Sequence, residues 1–61
     1  MKDLGKTIAK YRKEHKLNQS QLAKELENYD IYVKQNSISA WELGTATPYA
    51  CHFLALCEIL E

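Results

Sequence analysis

The sequence predicts an all-α fold, one compact domain of four short helices spanning residues 1–61. Three observations lead there. Apolar residues recur three and four apart rather than in alternation. Residues suited to capping, Asp3, Asn18 and Thr47, stand just before apolar-periodic segments. A chain of 61 residues also buries only a modest fraction of its surface, a limit that short helices meet better than a sandwich of strands.

Helix one is expected from about Leu4 to His15, capped by Asp3. Leu4, Ile8 and Tyr11 share its apolar face, while Lys6, Lys10, Arg12 and Lys13 lie largely elsewhere. Gly5 weakens its first turn slightly. Helix two is expected from Gln19 to about Glu27. Asn18 caps it, and Gln21 at the third helical position can reach back to the cap. Leu22, Ala23 and Leu26 face one side. Residues 27–32 read either as a continuation of helix two or as a loop, with Tyr29, Ile31 and Tyr32 able to pack back on the domain.

Helix three is expected from Lys34 or Gln35 to Leu43, with Ile38 and Trp41 on one face and Gly44 suited to a left-handed stop. Helices two and three together form a helix-turn-helix. Thr45, Ala46 and Thr47 connect to helix four, predicted over Pro48 to Leu60 with Thr47 as cap and Pro48 in the first turn, where a missing N–H costs nothing. Tyr49, Phe53, Leu56 and Leu60 make one apolar stripe of that helix, and Ala50, Leu54 and Cys57 an adjacent one. One buried face does not need both. The excess suggests a partner surface, or a helix wrapped deeply by its own domain.

Net charge is zero, but its distribution is lopsided. Residues 1–24 hold Lys2, Lys6, Lys10, Arg12, Lys13, Lys16 and Lys24 against Asp3 and Glu14, a surplus of +5. Residues 35–61 hold no Lys or Arg, and carry Glu42, Glu58 and Glu61. The basic end could approach phosphate; the alternative is a solvated basic helix.

Cys51 and Cys57 are six apart on one helix, about 9 Å at ~1.5 Å per residue, too far for a disulfide. No Cys-x-x-Cys and no second His at ligand spacing point to a metal, and no cofactor is expected. His52 lies on a different face from Cys51, which argues against a Cys-His nucleophile. With no paired carboxylates, no phosphate-binding Gly loop and little expected room for a pocket, no enzyme activity and no small-molecule ligand are expected. The sequence shows no signal peptide and no apolar run long enough to span a membrane, and free thiols fit a reducing cytoplasm.

The chain Leu17-Asn18-Gln19-Ser20-Gln21-Leu22-Ala23-Lys24-Glu25-Leu26, then Val33-Lys34-Gln35-Asn36-Ser37-Ile38-Ser39-Ala40-Trp41-Glu42-Leu43-Gly44, then Pro48, resembles the lambda-repressor-like helix-turn-helix domains of bacteria and phages. These are the Cro and phage-repressor type, or XRE family. Their pattern is a basic first helix, Leu-Thr-Gln-x-Glu-Leu-Ala-x-x-Leu, Val-Ser-x-x-Thr-Ile-Ser-x-x-Glu-x-Gly, and a Pro-led helix rich in Leu and Ala. The likeness covers nearly the whole chain.

The resemblance implies roles. Gln19 would contact a backbone phosphate and could brace the first residue of helix three. Gln35 and Asn36 would read bases, with Ser39 and Ala40 one turn further on. An amide can pair bidentately with adenine, and Ala40 can offer a methyl contact to thymine. Arg12 and Glu42 would bridge helix one to the end of helix three. Trp41, Phe53, Leu56, Cys57 and Leu60 would be core. Lys34, Thr45 and some of Lys10, Lys13 and Lys16 would hold phosphates.

The chain also departs from the pattern. Its turn, residues 27–32, is several residues longer, and Glu27 and Asp30 in it could repel phosphate. Lys34 replaces the usual Ser or Thr cap. If Asn36 caps instead, it is not free to read a base. Lys16 stands where a Gly usually ends helix one, an awkward backbone costing about 1 kcal/mol. The family's common fifth helix is absent.

The implied function is a sequence-specific DNA-binding repressor, cytoplasmic and nucleoid-associated, acting as a homodimer on a near-palindromic operator with recognition helices about 34 Å apart. The chain would be a whole domain or the N-terminal part of a longer repressor. Tyr49, Leu54 and Ile59 on helix four would form the partner surface. The alternative is a protein-interaction module or antitoxin-like partner with weak or no DNA binding.

Overall fold

The computed structural model describes residues 3–61; Lys2, counted above in the basic segment, lies outside them. Four helices follow in order: α1 (Leu4–Glu14), α2 (Gln19–Leu26), α3 (Gln35–Leu43) and α4 (Ala50–Leu60). No strand occurs among the described residues.

Local signals set most helix ends. The Lys6 N–H donates to Asp3 Oδ1 at 3.1 Å. At α2 the Gln21 N–H donates to Asn18 Oδ1 at 2.7 Å and the Asn18 N–H to Gln21 Oε1 at 2.8 Å, a reciprocal cap that satisfies two otherwise orphaned donors. α1 closes with Lys16 N–H on Lys13 O at 2.9 Å and Leu17 N–H on Arg12 O at 3.1 Å. This is a Schellman stop, and Lys16 takes the left-handed φ of 59° that it requires. Gly44 ends α3 at φ 82° without a side-chain penalty.

Residues 27–32 divide between the two readings, a short continuation and then a loop. Glu27–Tyr29 add a 3-10 turn to α2. Asp30 at φ 60° then reverses the chain, with Ile31 N–H on Leu26 O at 3.1 Å. Ile31 and Val33 pack on the core, whereas Tyr29 and Tyr32 stay exposed.

The core is Ile8, Leu22, Leu26, Ile38, Trp41, Ala55, Leu56 and Leu60. Leu22, Leu26 and Ile38 are fully buried, each worth about 1.5–3 kcal/mol of transfer free energy. α1 packs chiefly on α3, at Gly5. A Cβ there would stand 2.5 Å from the carbonyl oxygens of both Trp41 and Glu42, so only glycine admits this approach. Sequence reasoning saw in Gly5 only a weakened turn.

Helix four differs from expectation. It begins at Ala50, not Pro48, and Tyr49 rather than Thr47 is the cap. Tyr49 is extended (ψ 167°), and its N–H donates to His52 Nδ1 at 3.3 Å. The His52 ring lies between Tyr49 and Trp41, its centroid 5.4 and 5.3 Å from theirs.

Phe53 and Cys57, expected in the core, are exposed, because α4 turns Ala55, Leu56, Ile59 and Leu60 inward. Ile59 is half-buried and packs against its own core, at the edge of the exposed side of α4. Ala50, Leu54 and Cys57 remain uncovered, so the domain does not wrap α4 deeply. Tyr11, expected beside Leu4 and Ile8 on the buried stripe, is instead 42% exposed. It lines an open apolar groove of about 430 Å³ between α1 and α4 with Phe53 and Cys57, more room than so short a chain was expected to leave.

Candidate nucleic-acid interface

α3 presents two opposite faces. Ile38 and Trp41 are buried, anchoring one side. Gln35 and Asn36 are exposed and Ser39 and Ala40 half-buried on the other, following the i, i+1, i+4, i+5 spacing of a single helical stripe. Leu43 completes that stripe and is 76% exposed. Sequence reasoning missed it, although the same spacing, carried one step to i+8, reaches it.

The start of α3 decides the status of Asn36. Lys34 is the N-cap and makes no side-chain cap hydrogen bond. Asn36 is thus the second helical residue rather than the cap.

A chain of polar contacts runs behind the outward face. Arg12 Nε donates to Glu42 Oε2 at 2.7 Å and Arg12 Nη2 to Glu42 Oε1 at 3.2 Å, tying α1 to α3. Arg12 Nη1 also donates to the Leu17 carbonyl at 2.9 Å, which fixes the end of α1. Gln19 Nε2 donates to Glu42 Oε1 at 3.0 Å, and Gln19 Oε1 accepts from Gln35 Nε2 at 3.0 Å. Gln19 therefore braces the first residue of α3, joining α2 to α3.

Burial pushes the Glu42 carboxyl up, but the hydrogen bonds from Arg12 and Gln19, with the charges of Arg12 and Lys13, outweigh it. Its pKa lies below the ordinary carboxylate value. A planar guanidinium gripping both oxygens is the geometry that offsets desolvation.

The expected phosphate contacts are not all placed alike. Lys13 is exposed on α1, and its charge helps to lower the Glu42 pKa. Lys10 instead reaches over the Tyr11 ring, 5.8 Å from its centroid, beside the α1/α4 groove. Lys16 and Lys34 are exposed at the ends of α1 and α3. Thr45 donates its hydroxyl to the Ala40 carbonyl at 3.3 Å and its N–H to the same oxygen at 3.0 Å. It would have to release one of these to hold a phosphate. Glu27 and Asp30 are exposed in the extended turn.

Among the described residues no group of three or more His, Cys, Asp or Glu side chains could hold a metal ion, and Cys51 and Cys57 are free and exposed. No helix among them is long and apolar enough to cross a membrane. No curated protein and no solved structure matches the chain. A family model described as a helix-turn-helix domain matches residues 5–61, covering all four helices but the first residue of α1, and points to a DNA-binding regulator. By that match and by the α2–turn–α3 geometry, the chain belongs to the helix-turn-helix domain family.

Proposed function

We propose that this chain is a sequence-specific DNA-binding transcriptional repressor of the lambda-repressor-like type, reading the major groove with α3. The observation that carries the reading is the outward stripe of Gln35, Asn36, Ser39 and Ala40 opposite the buried Ile38 and Trp41. Gln35 and Asn36 meet base edges, and Ala40 and Leu43 offer apolar contact to thymine methyls. Lys34, Lys13, Lys16 and Gln19 hold phosphates, with Lys10 and Thr45 in lesser roles. Two copies joined through the exposed Tyr49 and Leu54 side of α4, with Ile59 at its inner edge, would set two α3 helices about 34 Å apart on a near-palindrome.

The test is an NMR titration of labelled protein with a short generic duplex at low salt. Backbone amides of Gln19, Lys34, Gln35, Asn36 and Ala40 should shift together and recover as salt is added, because phosphate contacts release counterions. Absence of shifts at high protein and duplex concentration refutes the reading.

A second reading, a protein-interaction module or antitoxin-like partner, is favoured by the zero net charge and by Leu54, 66% exposed, and Tyr49, 75% exposed. Leu54→Glu separates the two: it abolishes partner binding in the second case and leaves the salt-sensitive DNA shifts of a single domain in the first.

A further inference from the structure

The open side of α4 is complementary to itself. Ala55, Leu56, Ile59 and Leu60 turn toward the core. At 3.6 residues per turn Leu54 therefore points directly away from it, and it is 66% exposed. Ala50 and Cys57 lie on one flank of Leu54, Cys51 and Glu58 on the other, and all four are exposed. The Cys51–Glu58 flank opens into a groove of about 420 Å³ edged by Tyr29, Asp30 and Ile31.

Charge along α4 runs against the helix dipole. Its last turn carries no base, and Glu58 stands there with Glu61 just beyond, beside the negative end. Its first turn, the positive end, holds no acid. The N–H groups of that turn have no intrahelical acceptor. Each end of α4 thus suits the opposite end of another α4.

We infer that α4 pairs antiparallel with α4 of a second copy, about a two-fold axis at Leu54, and that Glu58 of each copy caps the positive end of the other. The inference rests on the proposed joining of two copies through α4 and gives it a direction and a register. In a two-fold pair, if residue i meets j then j meets i. Turned antiparallel about Leu54, the stripe meets that condition. Leu54 meets the partner's Leu54 at the centre. Ala50 meets the partner's Cys57, two small side chains that let the helices approach. Cys51 meets the partner's Glu58, whose carboxylate then lies beside the first-turn N–H groups. Parallel pairing instead sets Glu58 against the partner's Glu58 and aligns the two dipoles, so like charges oppose it. Asp30 borders the Glu58 flank and repels that carboxylate, which limits the strength of the pair.

Analytical ultracentrifugation of the whole chain, reduced and without DNA, tests the pairing. The wild type should dimerise reversibly. Leu54→Glu, which sets two charges against each other at the axis, should be monomeric with an unchanged circular dichroism spectrum. Glu58→Gln should raise the dimer Kd about 3- to 30-fold at low salt, as expected for two lost contacts to helix ends. Contact by apolar surface alone would leave that Kd unchanged.

Register is read by cross-linking. In the variant Ala50→Cys with Cys51→Ser, mild oxidation by oxidised glutathione should join the thiol at position 50 to the partner's Cys57, as mapped by mass spectrometry. The two positions are about 10 Å apart along one helix, so this bond cannot form within a chain. Adding Leu54→Glu should abolish it. Bonds from position 50 to position 50, or from Cys57 to the partner's Cys57, mark a parallel pair and overturn the inference while the joining of two copies stands. A dimer indifferent to Leu54→Glu overturns the use of this face. A wild type that stays monomeric at millimolar concentration overturns both the pairing and the joining through α4. The duplex titration judges the reading of DNA by α3 separately.

Discussion

Replacing Gly5 by alanine sets two effects of opposite sign against each other. In an exposed helix the change stabilises by about 1 kcal/mol, because alanine loses less backbone entropy on folding. Here the new methyl would lie 2.5 Å from two carbonyl oxygens, and ordinary contact begins near 3.4 Å. α1 and α3 would have to part by nearly 1 Å, and the obstacles are backbone atoms that cannot rotate away. Overpacking of this kind costs about 1–3 kcal/mol, and rigid backbone puts it at the upper end. The net loss should be about 2 kcal/mol. For a domain of this size that lowers Tm by about 8–16 °C. The same displacement strains the Arg12–Glu42 pair, which spans the same helix pair. Thermal and urea unfolding followed by circular dichroism measure it, with Lys6→Ala as the exposed control. A Gly5→Ala protein as stable as wild type, or more so, would refute the close approach.

Three further outcomes follow from the same geometry. Lys16→Gly should stabilise by about 1 kcal/mol, since it relieves a left-handed backbone at φ 59°, and should reduce the salt slope of DNA binding by about one if Lys16 holds a phosphate; urea unfolding and affinity at several salt concentrations read the two effects separately. Arg12→Ala should cost about 3 kcal/mol, because it strands a carboxylate whose side chain is only 10% exposed, with little change in base preference; a shifted preference at unchanged stability would contradict the structural role. Glu42 has a lowered folded pKa, so its stabilisation is present above its unfolded pKa of about 4.3 and is lost as pH falls through the lower folded value. Acid unfolding of Glu42→Gln should accordingly show a flatter limb below about pH 4 than wild type, and an identical limb would sink the assignment.

The parts legible in the sequence were those decided within a few residues. The reciprocal cap of Asn18 and Gln21, the Asp3 cap and the Gly44 stop depend on side chains that meet their own backbone three or four residues away. The outward stripe of α3 follows from helical period once Ile38 and Trp41 are known to face inward. Local signals failed at Thr47-Pro48: α4 starts at Ala50 instead, where the Tyr49 N–H meets His52 Nδ1 and Pro48 is buried. They also left residues 27–32 undecided, because neither outcome breaks a local rule.

The sequence by itself determined that the chain makes short amphipathic helices, where three of them begin or end, and which side chains can face a duplex. Only the tertiary structure decided how those helices meet. Gly5 matters because Trp41 and Glu42, distant in sequence, present their carbonyls to it. Gln35 is braced because Gln19, itself hydrogen-bonded to Glu42, meets it from another helix. Phe53 and Cys57 are exposed because a helix apolar over most of its circumference can bury only one side, and the packing of α1 and α2 chose which. Helical period fixes the order of residues around an axis but not the rotation of that axis against its neighbours.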